Sequence, residues 1–204
     1  MTPVRRSLLV LAGALTVLAA CGKAAAPAEG DMALGAAEGA KVTVVEYASV
    51  TCPHCAAWQE KTWPTLKARY VDTNKVRYVF RELPTPPVDA AAAGFQIARC
   101  AGEDKYFDVI HALMASQQTL VSQSPQAWLM TAAEGAGLNQ SQVATCLSDT
   151  AALAALDNRI RAARDAGVSG TPAFFVNGKS VVTPGGEGAS IEDLSAAIEA
   201  ELAK

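Results

Sequence analysis

The stretch Thr51-Cys52-Pro53-His54-Cys55 directly follows a β-type run and directly precedes a helix-type run. A Cys-x-x-Cys pair that opens a helix is typical of dithiol and disulfide chemistry. The unpaired N–H groups and the positive dipole end at the helix start favour a thiolate over a thiol. We therefore predict that Cys52 is the nucleophile and that Cys55 is its resolving partner. Pro53 suits the first helical position, and His54 adds a donor or partial positive charge, so both favour the reduced thiolate and a more oxidising disulfide.

The composition is that of an ordinary globular chain. It has 204 residues, of which 50% are apolar, enough for one domain with a buried core and short appendages. The formal net charge is −3, and it becomes −5 without the first twenty residues, because 15 Lys and Arg then face 20 Asp and Glu. A mildly acidic chain without a basic stripe is a poor nucleic-acid binder, so no nucleic-acid partner is expected.

The N-terminus reads as a targeting segment. Residues 1–20 combine the basic pair Arg5-Arg6 with an apolar run that is short for a membrane span but suits a signal peptide. The run ends in Leu18-Ala19-Ala20-Cys21, which resembles the lipobox of bacterial lipoproteins, where the cysteine is lipidated and becomes the first residue. We expect a lipid-anchored protein of the bacterial periplasm. A plain secretory signal that happens to contain a cysteine is the alternative, and a twin-arginine route is a weaker one.

The cysteine count fits this interpretation. Five cysteines are an odd number, but four remain if Cys21 carries lipid, and four can form two pairs. Export places them in an oxidising compartment, where disulfides persist. Besides the redox pair Cys52–Cys55, we predict a structural disulfide between Cys100 and Cys146, with two buried thiols as the alternative.

No metal site is predicted from the remaining metal-ligating residues. The only histidines are His54 and His111, and there is no second Cys-x-x-Cys to complete a four-ligand site. His111 lies on a predicted helix and is interpreted as a surface or hydrogen-bonded histidine. The predicted chemistry also needs no cofactor.

Hydrophobic periodicity divides the rest of the chain into a tether, two sheet-forming parts and a helical insertion. Residues 21–40 are rich in Ala and Gly and are predicted to be a flexible tether. Residues 41–87 predict a strand, a helix to about Tyr70 that Pro64 should kink, and a second strand. Residues 88–166 are helical throughout, and residues 167–204 return to a hairpin at Asn177-Gly178 and a final helix.

Two polar or unusual positions within the predicted sheet suggest function. Glu46 interrupts a strand that is otherwise β-branched or aromatic, and a carboxyl there is costly unless it has a role or a partner. We favour a buried acid beneath the cysteines, and the alternatives are a strand-edge glutamate in water or an ion pair with a lysine. Pro172, after Thr171, enters a strand that reads as central, which is typical of a cis proline beside a substrate-docking edge. An ordinary turn proline is the alternative.

Together these parts resemble the thioredoxin fold of the DsbA-like thiol:disulfide oxidoreductases, from about residue 34 to residue 204. The resemblance rests on Cys52-Pro53-His54-Cys55, on Glu46 upstream, on Gly170-Thr171-Pro172 and on the helical insertion. It implies an α/β thioredoxin fold with an inserted all-helical subdomain. It also implies an exposed attacking sulfur at Cys52, a resolving Cys55, a proton-handling Glu46 and substrate docking at Pro172. The lipid-type signal, Thr171, Pro64 and the Cys100/Cys146 pair depart from the best-known soluble members.

The resemblance implies an exported enzyme that donates the Cys52–Cys55 disulfide to reduced exported proteins as they fold. Reoxidation would come from a quinone-linked membrane oxidase, and a monomer is the default state. Within the same chemistry, the alternative is a reductase or isomerase kept reduced by a membrane electron donor. In a different class, the chain could be a tethered metal carrier that uses the same two cysteines.

Overall fold

The computed structural model describes residues 26–186 and 188–204. In this part of the chain a single mixed sheet has the strand order β1-β3-β2-β4-β5. The strands are β1 (Met32–Gly35), β2 (Thr43–Ala48), β3 (Arg77–Glu82), β4 (Ala173–Val176) and β5 (Lys179–Val181). β2 and β3 pair in parallel, and the other neighbours pair antiparallel. The predicted signal peptide and Cys21 lie outside the described residues.

Helices cover both faces of this sheet. They are α1 (Pro53–Lys61), α2 (Trp63–Leu66), α3 (Val88–Cys100), α4 (Glu103–Ala115), α5 (Pro125–Gly135), α6 (Gln140–Leu147), α7 (Thr150–Asp165) and α8 (Ile191–Leu202). α3 to α7 all lie between β3 and β4 in the chain, so the helical segment is inserted within the sheet's connectivity. The α/β fold with an inserted helical part is therefore confirmed. None of the described helices is both long and apolar enough to cross a membrane.

The sheet has two apolar faces because side chains alternate along each strand. Val44 and Ala48 of β2 belong to the large core with α1, α3 and α4, whereas Val45 and Tyr47 belong to a smaller cluster that includes Ala163 of α7. Glu46 alternates with Val45 and Tyr47, so it shares the α1 face of the sheet. The register of β2 thus directs its carboxyl toward the helix that carries the cysteines.

The helix after the cysteines breaks earlier than Pro64. The sequence predicts one kinked helix from Pro53 to about Tyr70, but α1 ends at Lys61 and α2 begins at Trp63. Pro64 occupies the first turn of α2, where its missing N–H needs no partner, and the bond that it would have made to the preceding turn is lost. A π-helical turn, Lys67–Val71, follows α2 and leads toward β3.

The prediction of a flexible tether over residues 21–40 is wrong for Met32–Gly35, which form edge strand β1 beside β3. Asp31, just before β1, forms an ion pair of 2.7 Å with Arg81 of β3. Gly35 ends the strand with a φ of +82°, and a Cβ there would lie 2.4 Å from the Val76 carbonyl oxygen. A strand of four residues without a β-branched side chain has no clear sequence signal, and its pairing with β3 stabilises it instead.

Candidate active site

Cys52 caps the N-terminus of α1. Its backbone is extended, with φ −85° and ψ 118°, and Pro53 opens the helix behind it. The Cys52 sulfur accepts a hydrogen bond from the Cys55 backbone N–H at 3.4 Å. The motif therefore occupies the helix start that the sequence predicts, and the sulfur replaces the usual oxygen of a capping side chain.

The loop before β4 closes over this sulfur. The Thr171–Pro172 peptide bond is cis, and the Thr171 carbonyl oxygen lies 3.4 Å from the Cys52 sulfur. The space beside Pro172 is tight, because a Cβ added at Gly188 would lie 2.9 Å from the Pro172 ring. Thr171 and Pro172 thus lie beside the cysteines, although more than a hundred residues separate them in the sequence.

Trp58 of α1 contacts β4 and the segment that joins β5 to α8. Its indole N–H donates to the Ala189 carbonyl oxygen at 2.7 Å, and its ring centroid lies 4.4 Å from that of Phe174 in β4. Trp58 is buried, so it is a core aromatic that supports the loops beside the active site.

The two cysteines differ in exposure, but neither is open to solvent. Cys52 is 5% exposed and Cys55 is fully buried, and the two are not joined in a disulfide. The expectation of an exposed attacking sulfur is therefore wrong for this reduced form. The loop at Thr171 and Pro172 contributes to this burial, because the Thr171 carbonyl oxygen lies 3.4 Å from the sulfur.

The surroundings of Cys52 favour its ionised form. Hydrogen bonding with the Cys55 thiol is the largest cause that lowers the pKa of Cys52, which falls to about 5 although burial opposes the shift. The side chain of Thr171 and the backbone N–H groups of Cys55 and His54 lower this pKa further. The backbone N–H of His54 is thus one of the donors to the sulfur, and the His54 side chain is exposed. Hydrogen bonds to a thiolate at a helix start are a common cause of reactive cysteines.

Cys55 and Glu46 are shifted in the opposite direction. Burial is the main reason that the pKa of the Cys55 thiol lies far above its ordinary value, and the nearby Cys52 and Glu46 raise it further. Burial also raises the pKa of Glu46 to about 8, with a smaller contribution from Cys52. Cys52 is thus the anion of the pair, Cys55 keeps its proton, and Glu46 is a neutral acid near pH 7 that is close enough to affect both sulfurs.

Tyr78 is the direct partner of Glu46, and the sequence analysis missed it. The Tyr78 hydroxyl donates a hydrogen bond to the Glu46 carboxyl group, and both side chains are buried. Val44 pairs with Tyr78 and Glu46 pairs with Phe80 across β2 and β3. Tyr78 is therefore a diagonal neighbour of Glu46 on the same face of the sheet. The alternation along the two predicted strands carried this signal, but their register was not known.

A cluster of three hydroxyls holds the turn between β2 and Cys52. The hydroxyl oxygens of Ser49 and Thr51 lie 3.0 Å apart, and the Thr51 hydroxyl donates to the Thr85 carbonyl oxygen at 2.7 Å. The Thr85 N–H donates to the Ser49 hydroxyl oxygen at 3.0 Å. These bonds join the active-site turn to the loop after β3, and no short motif in the sequence marks them.

The remaining predicted residues lie away from this site. Cys100 and Cys146 are joined in a disulfide that links α3 to α6, the pairing that the sequence analysis favours. His111 packs against the ring of Trp63 with centroids 5.4 Å apart, and burial lowers its pKa to about 4. Among the described residues, no three His, Cys, Asp or Glu side chains are grouped so that they could hold a metal ion.

Comparison with known proteins relates this geometry to a family. A family model described as thioredoxin matches residues 27–200. A Rickettsia bellii protein, provisionally named as a protein-disulfide oxidoreductase, is 39% identical over 176 residues, which are 84% of this chain and 64% of that protein. A Rickettsia typhi protein with the same provisional name is 35% identical over 175 residues, which are 84% of this chain and 62% of the Rickettsia typhi protein. The chain thus spans less than two thirds of these curated relatives.

Solved structures agree with the architecture. The crystal structure of alpha-DsbA1 from Wolbachia pipientis has a TM-score of 0.75 and 25% identity, and the match covers 87% of this chain and 93% of that one. The crystal structure of oxidised BdbD from Bacillus subtilis has a TM-score of 0.74 and 19% identity. That match covers 85% of this chain and 94% of the BdbD chain. These likenesses confirm the fold predicted from the sequence.

Proposed function

The chain belongs to the thioredoxin family, and on that premise we propose that it is a thiol:disulfide oxidoreductase that donates the Cys52–Cys55 disulfide to exported proteins as they fold. The observation that carries this proposal is the Cys52 sulfur at the start of α1, where hydrogen bonding lowers its pKa to about 5. A sulfur that is stable as a thiolate is a good leaving group, so the disulfide that it forms is readily transferred.

The proposed reaction moves two electrons from substrate to enzyme. A substrate thiolate attacks the Cys52 sulfur, the Cys52–Cys55 bond breaks, and its electron pair goes to Cys55, which takes a proton from Glu46. A second substrate thiolate then attacks the substrate sulfur of this mixed disulfide. The substrate disulfide forms, and Cys52 leaves as a thiolate. The substrate is oxidised and the Cys52/Cys55 pair is reduced.

Substrate docking is proposed at Thr171 and Pro172. A substrate cysteine that reaches the Cys52 sulfur must pass the Thr171 backbone, whose carbonyl oxygen lies 3.4 Å from that sulfur. An extended segment in this position can pair with the backbone there as an added strand. Because that sulfur is largely covered in the reduced form, the substrate must also displace part of this loop.

The cellular setting is proposed from the N-terminal sequence. Residues 1–20 read as a signal peptide and Cys21 as a lipidated first residue, which would hold the enzyme at a membrane in the bacterial periplasm. There a quinone-linked membrane oxidase could regenerate the Cys52–Cys55 disulfide, and the enzyme would act as a monomer. Metabolic labelling with a radioactive fatty acid tests the anchor, since Cys21→Ala should abolish the label.

A trapping experiment tests the reaction. With Cys55→Ser, the resolving sulfur is absent, so we expect a stable mixed disulfide between Cys52 and a reduced model substrate in the presence of oxidised glutathione. Mass spectrometry after acid quenching identifies the adduct. Cys52→Ser is the matched control and should form no adduct through Cys55, which is buried. Adducts on neither variant would overturn the proposal.

The redox potential decides the direction of transfer. An oxidase requires a Cys52–Cys55 potential near the value of about −120 mV that is typical of DsbA. A potential near about −270 mV, typical of thioredoxin, would instead assign the protein as a reductase or isomerase kept reduced by a membrane donor. Equilibration with glutathione buffers, with Cys52→Ser as the blank, measures this potential.

A further inference from the structure

The buried acid Glu46 has a hydrogen-bond donor, the buried Tyr78 of β3, which has no role in the reaction proposed above. Glu46 is 2% exposed and Tyr78 is 3% exposed, and the Tyr78 hydroxyl donates directly to one carboxyl oxygen of Glu46. A phenol in this position keeps its proton, because burial and the adjacent carboxyl raise its pKa well above the usual value. Tyr78 is therefore a fixed hydrogen-bond donor aimed at the acid beneath the cysteines.

We propose that Tyr78 is a positioning residue for proton exchange at Cys55, because its hydroxyl holds the Glu46 carboxyl group and stabilises that group when it ionises. The inference rests on the proposed function, since proton exchange at Cys55 has a role only if the Cys52–Cys55 disulfide forms and breaks. It adds a residue on β3 to a site otherwise built from β2, α1 and the loop before β4.

The surroundings leave Tyr78 as the main source of stabilisation for an ionised Glu46. The titratable groups near the carboxyl are Cys52, which caps α1, Cys55 on α1 and Tyr78 on β3, with Tyr106 of α4 next to Tyr78. Burial makes ionisation of Glu46 harder, and the Cys52 thiolate adds to this effect because it repels a carboxylate. The Tyr78 hydrogen bond acts in the opposite direction on the pKa of Glu46.

The role follows from the chemistry of Cys55. When the disulfide is reduced, the Cys55 sulfur receives an electron pair and takes a proton from the Glu46 carboxyl, which becomes a carboxylate. When the disulfide re-forms, that carboxylate must remove the proton from Cys55 so that its sulfur can attack. In both directions Glu46 passes through its ionised form. The hydrogen bond from the Tyr78 hydroxyl lowers the free energy of that carboxylate.

A purely structural role for Tyr78 is the competing explanation. Its ring lies among aromatic side chains, with centroids 4.5 Å from Trp63 and 6.1 Å from Phe107. Tyr78→Phe keeps this ring and removes only the hydroxyl, so it separates packing from hydrogen bonding. A packing role leaves the pH dependence of the exchange unchanged, whereas a role through Glu46 shifts it.

The experiment follows the resolution step, in which Cys55 attacks a Cys52–glutathione mixed disulfide. Reduced protein is mixed with excess oxidised glutathione, and quenched-flow mass spectrometry gives the rate of loss of the mixed disulfide across pH. For Tyr78→Phe we expect the midpoint of the pH profile to move up by about one pH unit, because a hydrogen bond to a charged group is lost. Below the midpoint this corresponds to a rate about tenfold lower.

Two controls make the test specific to the Tyr78–Glu46 contact. Tyr106→Phe removes another buried hydroxyl from the same aromatic cluster, but its partner is Glu82 at 3.1 Å, so the midpoint should not move. In a Glu46→Gln background the acid is absent, so adding Tyr78→Phe should change the rate by less than about twofold. A tenfold loss in that background, or an unshifted midpoint for Tyr78→Phe, would overturn the inference.

A second variant and a second readout cover the other outcomes. Glu46→Asp keeps an acid but withdraws it from the Tyr78 hydroxyl, so its pH profile should shift in the same direction even if Tyr78→Phe fails to fold. Infrared difference spectra of the Glu46 carboxyl, identified by its loss in Glu46→Gln, titrate the acid without any turnover. If the unsubstituted protein exchanges no disulfides, the proposed function fails. In that case the titration midpoint of the Glu46 carboxyl, measured by infrared spectroscopy, still tests the role of Tyr78. This midpoint must be higher in Tyr78→Phe than in the unsubstituted protein.

Discussion

The carbonyl oxygen of Thr171 lies 3.4 Å from the sulfur of Cys52. A carbonyl can only accept, so this contact favours the thiol, whereas the N–H groups at the start of α1 favour the thiolate. The Thr171 hydroxyl is buried, and no hydrogen-bond partner lies within reach of it among the described residues. The Thr171 side chain nevertheless lowers the pKa of Cys52. This hydroxyl is thus available to donate to the sulfur once the sulfur ionises.

Replacing Thr171 by valine should therefore raise the pKa of Cys52. The hydroxyl is lost but the shape is nearly kept, so we expect a rise of about one pH unit, the value of one hydrogen bond to a charged group. The ultraviolet absorbance of the thiolate measures the titration. Ser195→Ala is the matched control, because the Ser195 hydroxyl is also buried without a partner by the same criterion but lies on α8. An equal shift in both variants would contradict the assignment.

Cys52 and Glu46 should give the reduced protein opposite pH dependences of stability. The pKa of Cys52 falls to about 5 in the fold, below the usual value of about 8.5. Its stabilisation is present above the unfolded pKa and is lost as pH falls through 5. The pKa of Glu46 rises from 4.5 to about 8, so its contribution is complete below 4.5 and is lost as pH rises through 8. Between pH 5 and 8 the two contributions oppose each other.

When either group is removed, the pH dependence of stability that the other group causes should become measurable. Between about pH 5.5 and about pH 7.5, we expect the free energy of unfolding of Glu46→Gln to rise with pH relative to the unsubstituted protein, by at most about 1.4 kcal/mol per pH unit. That of Cys52→Ser should fall with pH on the same comparison. Urea denaturation under reducing conditions measures both slopes. Parallel slopes in all three proteins would contradict the assigned pKa shifts.

The parts of the site that depend only on neighbouring residues could be predicted from the sequence. Cys52 follows a strand and precedes a helix-type run, so its place at a helix start could be predicted from neighbouring residues alone. Pro172 stood out because a proline is unusual at the entrance of a central strand. Each of these signals depends on a few adjacent positions and does not require the register of the sheet.

The parts that were missed depend on pairing between distant segments. β1 forms only because its backbone meets β3, and its residues have little strand propensity of their own. Tyr78 becomes the partner of Glu46 only when the register of β2 and β3 is known, since a shift of one residue would turn it to the other face. The covering of Cys52 by Thr171 likewise depends on how the chain returns to the sheet after the helical insertion.

The Cys100–Cys146 disulfide should stabilise the helical segment without affecting redox chemistry at Cys52. The two residues are 46 positions apart, and closing a loop of that length contributes about 4 kcal/mol in the chain-entropy model. We expect the double variant Cys100→Ala/Cys146→Ala to lose about 2–4 kcal/mol in urea unfolding. Its Cys52–Cys55 potential should match that of the unsubstituted protein. A shifted potential would indicate that the two disulfides are coupled through α3.

Glu82, at the end of β3, should be the most sensitive charged residue outside the active site. It is 1% exposed, and its carboxylate accepts hydrogen bonds from Arg99 at 2.5 Å and from Arg159 at 2.7 Å. This one side chain therefore joins the sheet to α3 and α7. Glu82→Gln should cost about 3–5 kcal/mol in the free energy of unfolding, because two partly buried guanidinium groups lose their counter-charge.

An exposed ion pair provides the comparison that makes this prediction specific. Lys67 and Asp72 are 2.5 Å apart, but their side chains are 42% and 51% exposed. Water solvates both charges when the pair is broken, so Asp72→Asn should change the free energy of unfolding by no more than about 0.5 kcal/mol. If Glu82→Gln costs as little as Asp72→Asn, the guanidinium groups of Arg99 and Arg159 must find other partners or reach solvent. Glu82 would then not be required to join the helical segment to the sheet.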